Sequence, residues 1–227
     1  MSRVGGAPDP VEPASRGPLA VRRSSDPAGM DRIEFFSDAV FAIAMTLLVV
    51  TLVIPATVPA AGLGHALHEL SGQLFAFALS FVVIGQFWIA HHRLFRLIDR
   101  YDLGLLWLNL FHLLGICFLP FPTELLGRYF GSDVAGFLYG GTLTVTSLVG
   151  ASIWFYALGR QLVGSVDPDV QRATTFRATM TPIAFAIGTA FVPLSMELAV
   201  VIWGVLLPIS RAIVTVAARA RPPDTVV

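Results

Sequence analysis

Residues 31–54, DRIEFFSDAVFAIAMTLLVVTLVI, decide the reading of this 227-residue chain. From Phe35 onward the run stays apolar for about 20 residues, the length at which a helix crosses a bilayer. Its opening turns nevertheless carry Arg32, Glu34, Ser37 and Asp38. A carboxylate at the centre of a span costs about 2.5–3.5 kcal/mol on insertion scales, so an acid inside a span implies partners or a task. Asp38 stands about 10 Å past Asp31 at about 1.5 Å per helical residue, below the headgroups on the side where the helix begins.

Outward from this run the composition agrees. The chain is 55% hydrophobic and only 13% charged, with a mean hydropathy of +0.74; a soluble domain is nearer a quarter charged. Further apolar runs without alternation follow, which means helices rather than a barrel. The first span ends near Ile54, where Pro55 and Pro59 stop it, and Asp31 with Glu34 reads as an N-cap and its capping-box partner. The next spans are expected at residues 70–92, 103–120 (ended by Pro120 and Pro122), 134–158, 173–192 and 194–217. The expected fold class is therefore an all-α integral membrane protein with six transmembrane helices. Residues 1–28, rich in Pro, Gly, Ser and Arg, read as a disordered arm with no signal-peptide core. The membrane domain is expected over 29–217 and a short tail over 218–227. Gly136 and Gly140, four apart, would let a neighbouring helix approach closely.

Every basic residue is arginine, and the distribution gives the orientation. Under the six-span count fourteen arginines fall on one side and only Arg128 on the other, which places both termini in the cytoplasm of a multi-pass protein of the cell membrane. Zero net charge gives no indication of a nucleic-acid partner. Cys117, alone in an apolar run, reads as a small hydrophobe.

Sorted at about 100° per residue, the first helix shows distinct faces. Asp38 shares one with Ala42, Met45 and Val49; Ile43, Thr46, Leu47 and Val50 fall on another. Donors for Asp38 lie at the cytoplasmic end of the second span, Trp88, His91, His92 and Arg93, with Asn109 in the third. The residues thus predict a polar cluster of Arg32, Ser37, Asp38, Trp88, either His91 or His92, and Asn109, whose plainest role is to pin the first helix to the second and third. Ion coordination and proton relay are the sharper alternatives. Adjacent histidines point to different faces, and no Cys or Glu-x-x-His companion argues for a metal. Periodicity alone makes the Ile43–Val50 stripe packing or lipid contact.

The pattern Arg32-x-x-x-Phe36-Ser37-Asp38, with Thr-Leu-Leu two turns on, resembles the first helix of the transmembrane protein 175 family of potassium channels, in its prokaryotic single-repeat branch. The Trp88-x-x-His91-His92 run and Asn109 extend the resemblance through the third span, while the later spans match only in length and orientation. The resemblance implies a homotetramer of six-helix subunits whose first helices line a central pore for potassium, with no further cofactor. It makes Ile43 the narrow hydrophobic ring, continued by Leu47 and Val50. Thr46 becomes the layer favouring potassium, and Arg32, Phe36, Ser37, Asp38, Trp88, His91, His92 and Asn109 the network that holds the helix. The Thr-Val-Gly-Tyr-Gly loop of ordinary potassium channels is absent from the sequence. The expected function is a leak-type potassium channel gated by a hydrophobic constriction. The alternative is a proton-coupled transporter or proton leak through Asp38 and the histidines, though no broken helix or repeat points there. An intramembrane enzyme lacks a visible nucleophile–base–orienter set.

Overall fold

The computed structural model describes residues 27–54 and 56–206; the arm up to residue 26 and the tail from residue 207 lie outside the described residues, and with them the expectations placed there. The order is all-helical: α1 (Pro27–Val50), a short 3₁₀ turn, α2 (Leu63–Glu69), α3 (Ser71–Phe95), α4 (Leu103–Phe118), α5 (Pro120–Arg128), α6 (Asp133–Gly159), α7 (Pro168–Ala190) and α8 (Met196–Val201), which runs on as a π-helical turn to Leu206. Among the described residues four stretches are long and apolar enough to cross a membrane: 28–50, 71–95, 103–128 and 133–159.

Three boundaries differ from the sequence reading. Helix α1 starts at Pro27, so Asp31 lies inside it and caps nothing. The extra turn is held by packing, because Met30 is buried with Phe95, Ile98 and Leu105. The same helix closes at Val50, four residues before the expected end. Pro120 and Pro122 do not end the third span. The chain turns once at Leu119 and resumes as α5 with Pro120 in its first turn, where a missing N–H costs nothing.

Helix α7 is more polar than these four stretches, yet its threonines are satisfied internally. Thr174, Thr175, Thr179, Thr181 and Thr189 each donate to the carbonyl four residues earlier, which removes most of the cost of placing a hydroxyl in hydrocarbon. It packs along α6, where the two glycines act as expected: a Cβ at Gly136 would meet Val192 and Met196, and one at Gly140 would meet Thr189 and Trp203.

One end of the bundle is tied by its connections. Backbone N–H groups of Asp99 and Gly164 donate to Leu162 and Leu97 at 3.0 and 3.1 Å, joining the α3–α4 and α6–α7 links. Asp102 is buried there. Its carboxylate caps α4 at Leu105 N and accepts from the Tyr156 hydroxyl at 3.0 and 3.1 Å, with Arg160 Nε 3.5 Å away. Arg93, Arg96 and Arg100 thus share an end of the molecule with Arg160, while Arg128 closes α5 at the far side.

Candidate functional site: the first helix and its anchor

Helix α1 packs on α3 and α4 through one narrow stripe. Ser37, Phe41, Ala44 and Leu48, spaced by four, three and four, are all essentially inaccessible. Phe41, Ala44 and Leu48 share one apolar core with Val83, Ile84 and Phe87 of α3 and Leu113 and Ile116 of α4. Of the four long apolar helices α1 is the least buried. Its opposite face is bare: Ile43 is 57% exposed, Leu47 46% and Val50 65%, and Thr46 is exposed between them. The Thr46 hydroxyl donates to the Ile43 carbonyl at 2.8 Å. With its proton committed to the helix, the oxygen presents lone pairs outward.

The polar residues near the start of α1 resolve into two separate contacts. The buried one is a directed chain: His91 Nε2 donates to Asn109 Oδ1 at 2.8 Å, Asn109 Nδ2 donates to Ser37 Oγ at 3.1 Å, and Ser37 Oγ donates to the Ile33 carbonyl at 2.8 Å. It ties α3 to α4 and α4 to α1, with every proton running the same way. The second is more open. Trp88 Nε1 donates to Asp38 Oδ1 at 2.8 Å, and the indole stacks on His92 with ring centres 6.0 Å apart.

Neither histidine is hydrogen-bonded to Asp38, so the expected single cluster is divided: His91 serves Asn109, and His92 braces Trp88. The reason is the helical register. Trp88 and His92 share a face one turn apart, while His91 points about 100° away into the core. Arg32 and Phe36 are exposed, and among the described residues Arg32 forms no ion pair. Both stand on the Ile43 side of the helix by angle rather than in the anchor.

The sequence reading gave His112 no place in this anchor. Its ring lies nearly parallel to His91 at 5.7 Å, its Nδ1 donates to the Thr146 carbonyl at 3.0 Å, and Phe41 and Phe87 pack at its edges. It links the anchor to α6. Its signal was the three-residue spacing from Asn109, which puts both on one face of α4. Among the described residues no group of three or more His, Cys, Asp or Glu could hold a metal ion.

The Asp38–Trp88 pair can be separated from the carboxylate's charge. Trp88→Phe leaves a half-buried carboxylate without its donor and is expected to cost about 1.5–3 kcal/mol, the range for a hydrogen bond to a charged group. Asp38→Asn keeps an acceptor for the indole and should cost less than half of that. Thermal unfolding of the purified variants checks the order; an Asp38→Asn protein weaker than Trp88→Phe would assign the charge itself a structural task.

Residues 32–120 match the family model described as "Endosomal/lysosomal potassium channel TMEM175". A potassium channel of Streptomyces collinus is 35% identical over 176 residues, covering 74% of this chain and 85% of that protein. A potassium channel of Chamaesiphon minutus is 36% identical over 176 residues, covering 73% and 87%. The crystal structure of a lysosomal potassium-selective channel TMEM175 homolog from Chamaesiphon minutus superposes with a TM-score of 0.74 at 31% identity, covering 82% of this chain and 98% of that one. With identity above 30% across most of these relatives' length, and the fold of a solved homolog matched over most of both chains, the chain belongs to the TMEM175 family.

Proposed function

We propose that the chain is the subunit of a potassium channel in which four copies place their α1 helices around a central path. The observation that carries this reading is the division of α1. One stripe is locked into its own subunit, and the Ile43–Thr46–Leu47–Val50 face is left for something outside it. Six spans (α1, α3, α4 with α5, α6, α7, and the helix opening at Met196) with both termini cytoplasmic agree with the arginine distribution. The relatives' descriptions as potassium channels supply the ion.

In such an assembly Ile43 forms the narrowest ring, with Leu47 and Val50 beyond it. An apolar ring blocks by shedding water, so conduction depends on its width and wetting. The Thr46 oxygens, oriented by their bonds to Ile43, offer dipoles to a partly hydrated cation. No second reading is favoured: among the described residues Asp38 accepts from Trp88 and His91 donates to Asn109, so neither histidine bonds the carboxylate directly.

The test is flux from liposomes holding potassium or sodium as the sole cation. The protein is expected to pass potassium faster than sodium, and Thr46→Val is expected to shrink that preference while potassium still passes. Equal flux of both ions in the parent, or an unchanged preference in Thr46→Val, would remove threonine from selectivity. Saturable flux that demands a pH gradient would replace the channel with a transporter.

A further inference from the structure

A second polar feature lies on the other side of α3 from α1 and touches the anchor only at its inner end. Between α3, α6 and α7 a cavity of about 450 Å³ opens at the arginine-rich end of the bundle. Its walls are mostly apolar, with Phe87, Leu94, Ile153 and Ala178 among them, and its floor reaches His91 and His112. Among the described residues three arginines line it, Arg93 in the last turn of α3, Arg96 just past its end and Arg177 from α7, and no carboxylate does.

Arg177 stands nine residues past Pro168, about 14 Å along α7 at about 1.5 Å per residue. Its Nε is buried without a hydrogen-bond partner, and the charge that acts on it is the like charge of Arg93. Glu34 on α1 acts on Arg96 and not on Arg177. A guanidinium at membrane depth normally faces an acid, a carbonyl or water. Here Arg177 and Arg93 line one apolar trough.

We infer that this cavity is a binding site for an anionic phospholipid: the phosphate sits between Arg177 and Arg93, and an acyl chain lies along the apolar wall formed by Leu94, Ile153 and Ala178. Charge complementarity selects the occupant. A basic pocket between helices at the cytoplasmic side suits a phosphate headgroup, and the planar forks of two arginines suit its oxygens. The apolar walls distinguish a lipid from a free anion, which would leave most of the cavity unused. The site is separate from the pore face of α1. It rests on the chain being embedded in a bilayer.

The experiment is native mass spectrometry of the full chain, purified in detergent and offered an equimolar mixture of phosphatidylglycerol and phosphatidylcholine with identical acyl chains. The parent is expected to retain phosphatidylglycerol preferentially. Arg177→Gln should lower the retained phosphatidylglycerol-to-phosphatidylcholine ratio about fivefold, the attraction of one basic residue for an anionic headgroup. Arg177→Lys should restore part of it, and Arg172→Gln, on the exposed side of α7, should leave it unchanged. Ala178→Phe, which keeps every charge and fills the trough, should reduce retention of the lipid. The inference is overturned if the ratio is unchanged in Arg177→Gln. It is equally overturned if excess inorganic phosphate displaces the lipid while Ala178→Phe has no effect, which would make the site one for a free anion. Lipid retention is read without any flux measurement, so its failure and a failure of the channel reading are distinguishable.

Discussion

Ile43→Asn is expected to raise potassium flux through reconstituted protein by about tenfold or more. A factor of ten in rate corresponds to about 1.4 kcal/mol of barrier, and stripping water from an ion at an apolar ring costs several kcal/mol. Four asparagine amides at that level would hold water where four isoleucines expel it. The residue is 57% exposed and packs no core, so the substitution should leave folding intact. The control lies on the same helix. Leu48 is fully buried among α3 and α4, and Leu48→Asn should destabilise the protein by roughly 2–5 kcal/mol without a specific gain in flux. Liposome flux, normalised to the folded protein recovered, separates the two. If Ile43→Asn conducts like the parent, the constriction lies elsewhere on α1. If Leu48→Asn also raises flux, the division of faces is not what governs permeation.

That division was half legible in the sequence. The angles separate Asp38 from the Ile43–Val50 stripe, but they do not say which face the subunit keeps for itself. That depends on where α3 and α4 lie, and the shape of Phe41, Ala44 and Leu48 against them decides it. The anchor was legible in its membership rather than its wiring. Ser37, Asp38, Trp88, His91 and Asn109 were each conspicuous as polar groups in apolar runs. Which pairs with which depends on differences of 100° between neighbours on one helix, and His91 and His92 are such neighbours. Arg32 offers Asp38 a donor by chemistry and by its place in the motif, but its angle, close to that of Ile43, points away from the anchor.

Helix boundaries failed where packing overrode local chemistry. Asp31 and Glu34 have the spacing of a capping box, yet Met30 has a buried site waiting and carries the helix a further turn back. Pro120 has the form of a stop, but a proline in a helix's first turn is a start as much as an end, and Leu119, Pro120 and Leu126 are all buried. The polarity of α7 also misleads any hydropathy count, because threonines bonded to their own helix are far less polar to the outside than their side chains suggest.

The second large effect is expected at Asn109. Its side chain accepts from His91 and donates to Ser37, so among the described residues it is the one group through which α1, α3 and α4 share a polar contact. Asn109→Leu is close in size but leaves a buried imidazole N–H without an acceptor, at a cost of about 1–3 kcal/mol, and removes the bond to Ser37 besides, about 0.5–1.5 kcal/mol more. Ser37→Ala removes both bonds of the hydroxyl but should cost less, since the Ile33 carbonyl keeps its backbone partner within the helix and the buried His91 keeps its acceptor on Asn109. Because the two residues act through one chain, the double variant should unfold no more easily than Asn109→Leu alone, and the departure from additivity measures the coupling. Thermal unfolding of the four proteins in the same detergent gives the cycle. Strict additivity would mean that Ser37 and Asn109 stabilise α1 independently. A neutral Asn109→Leu would mean that apolar packing around Phe41, not the hydrogen-bonded chain, fixes the helix whose other face is left free.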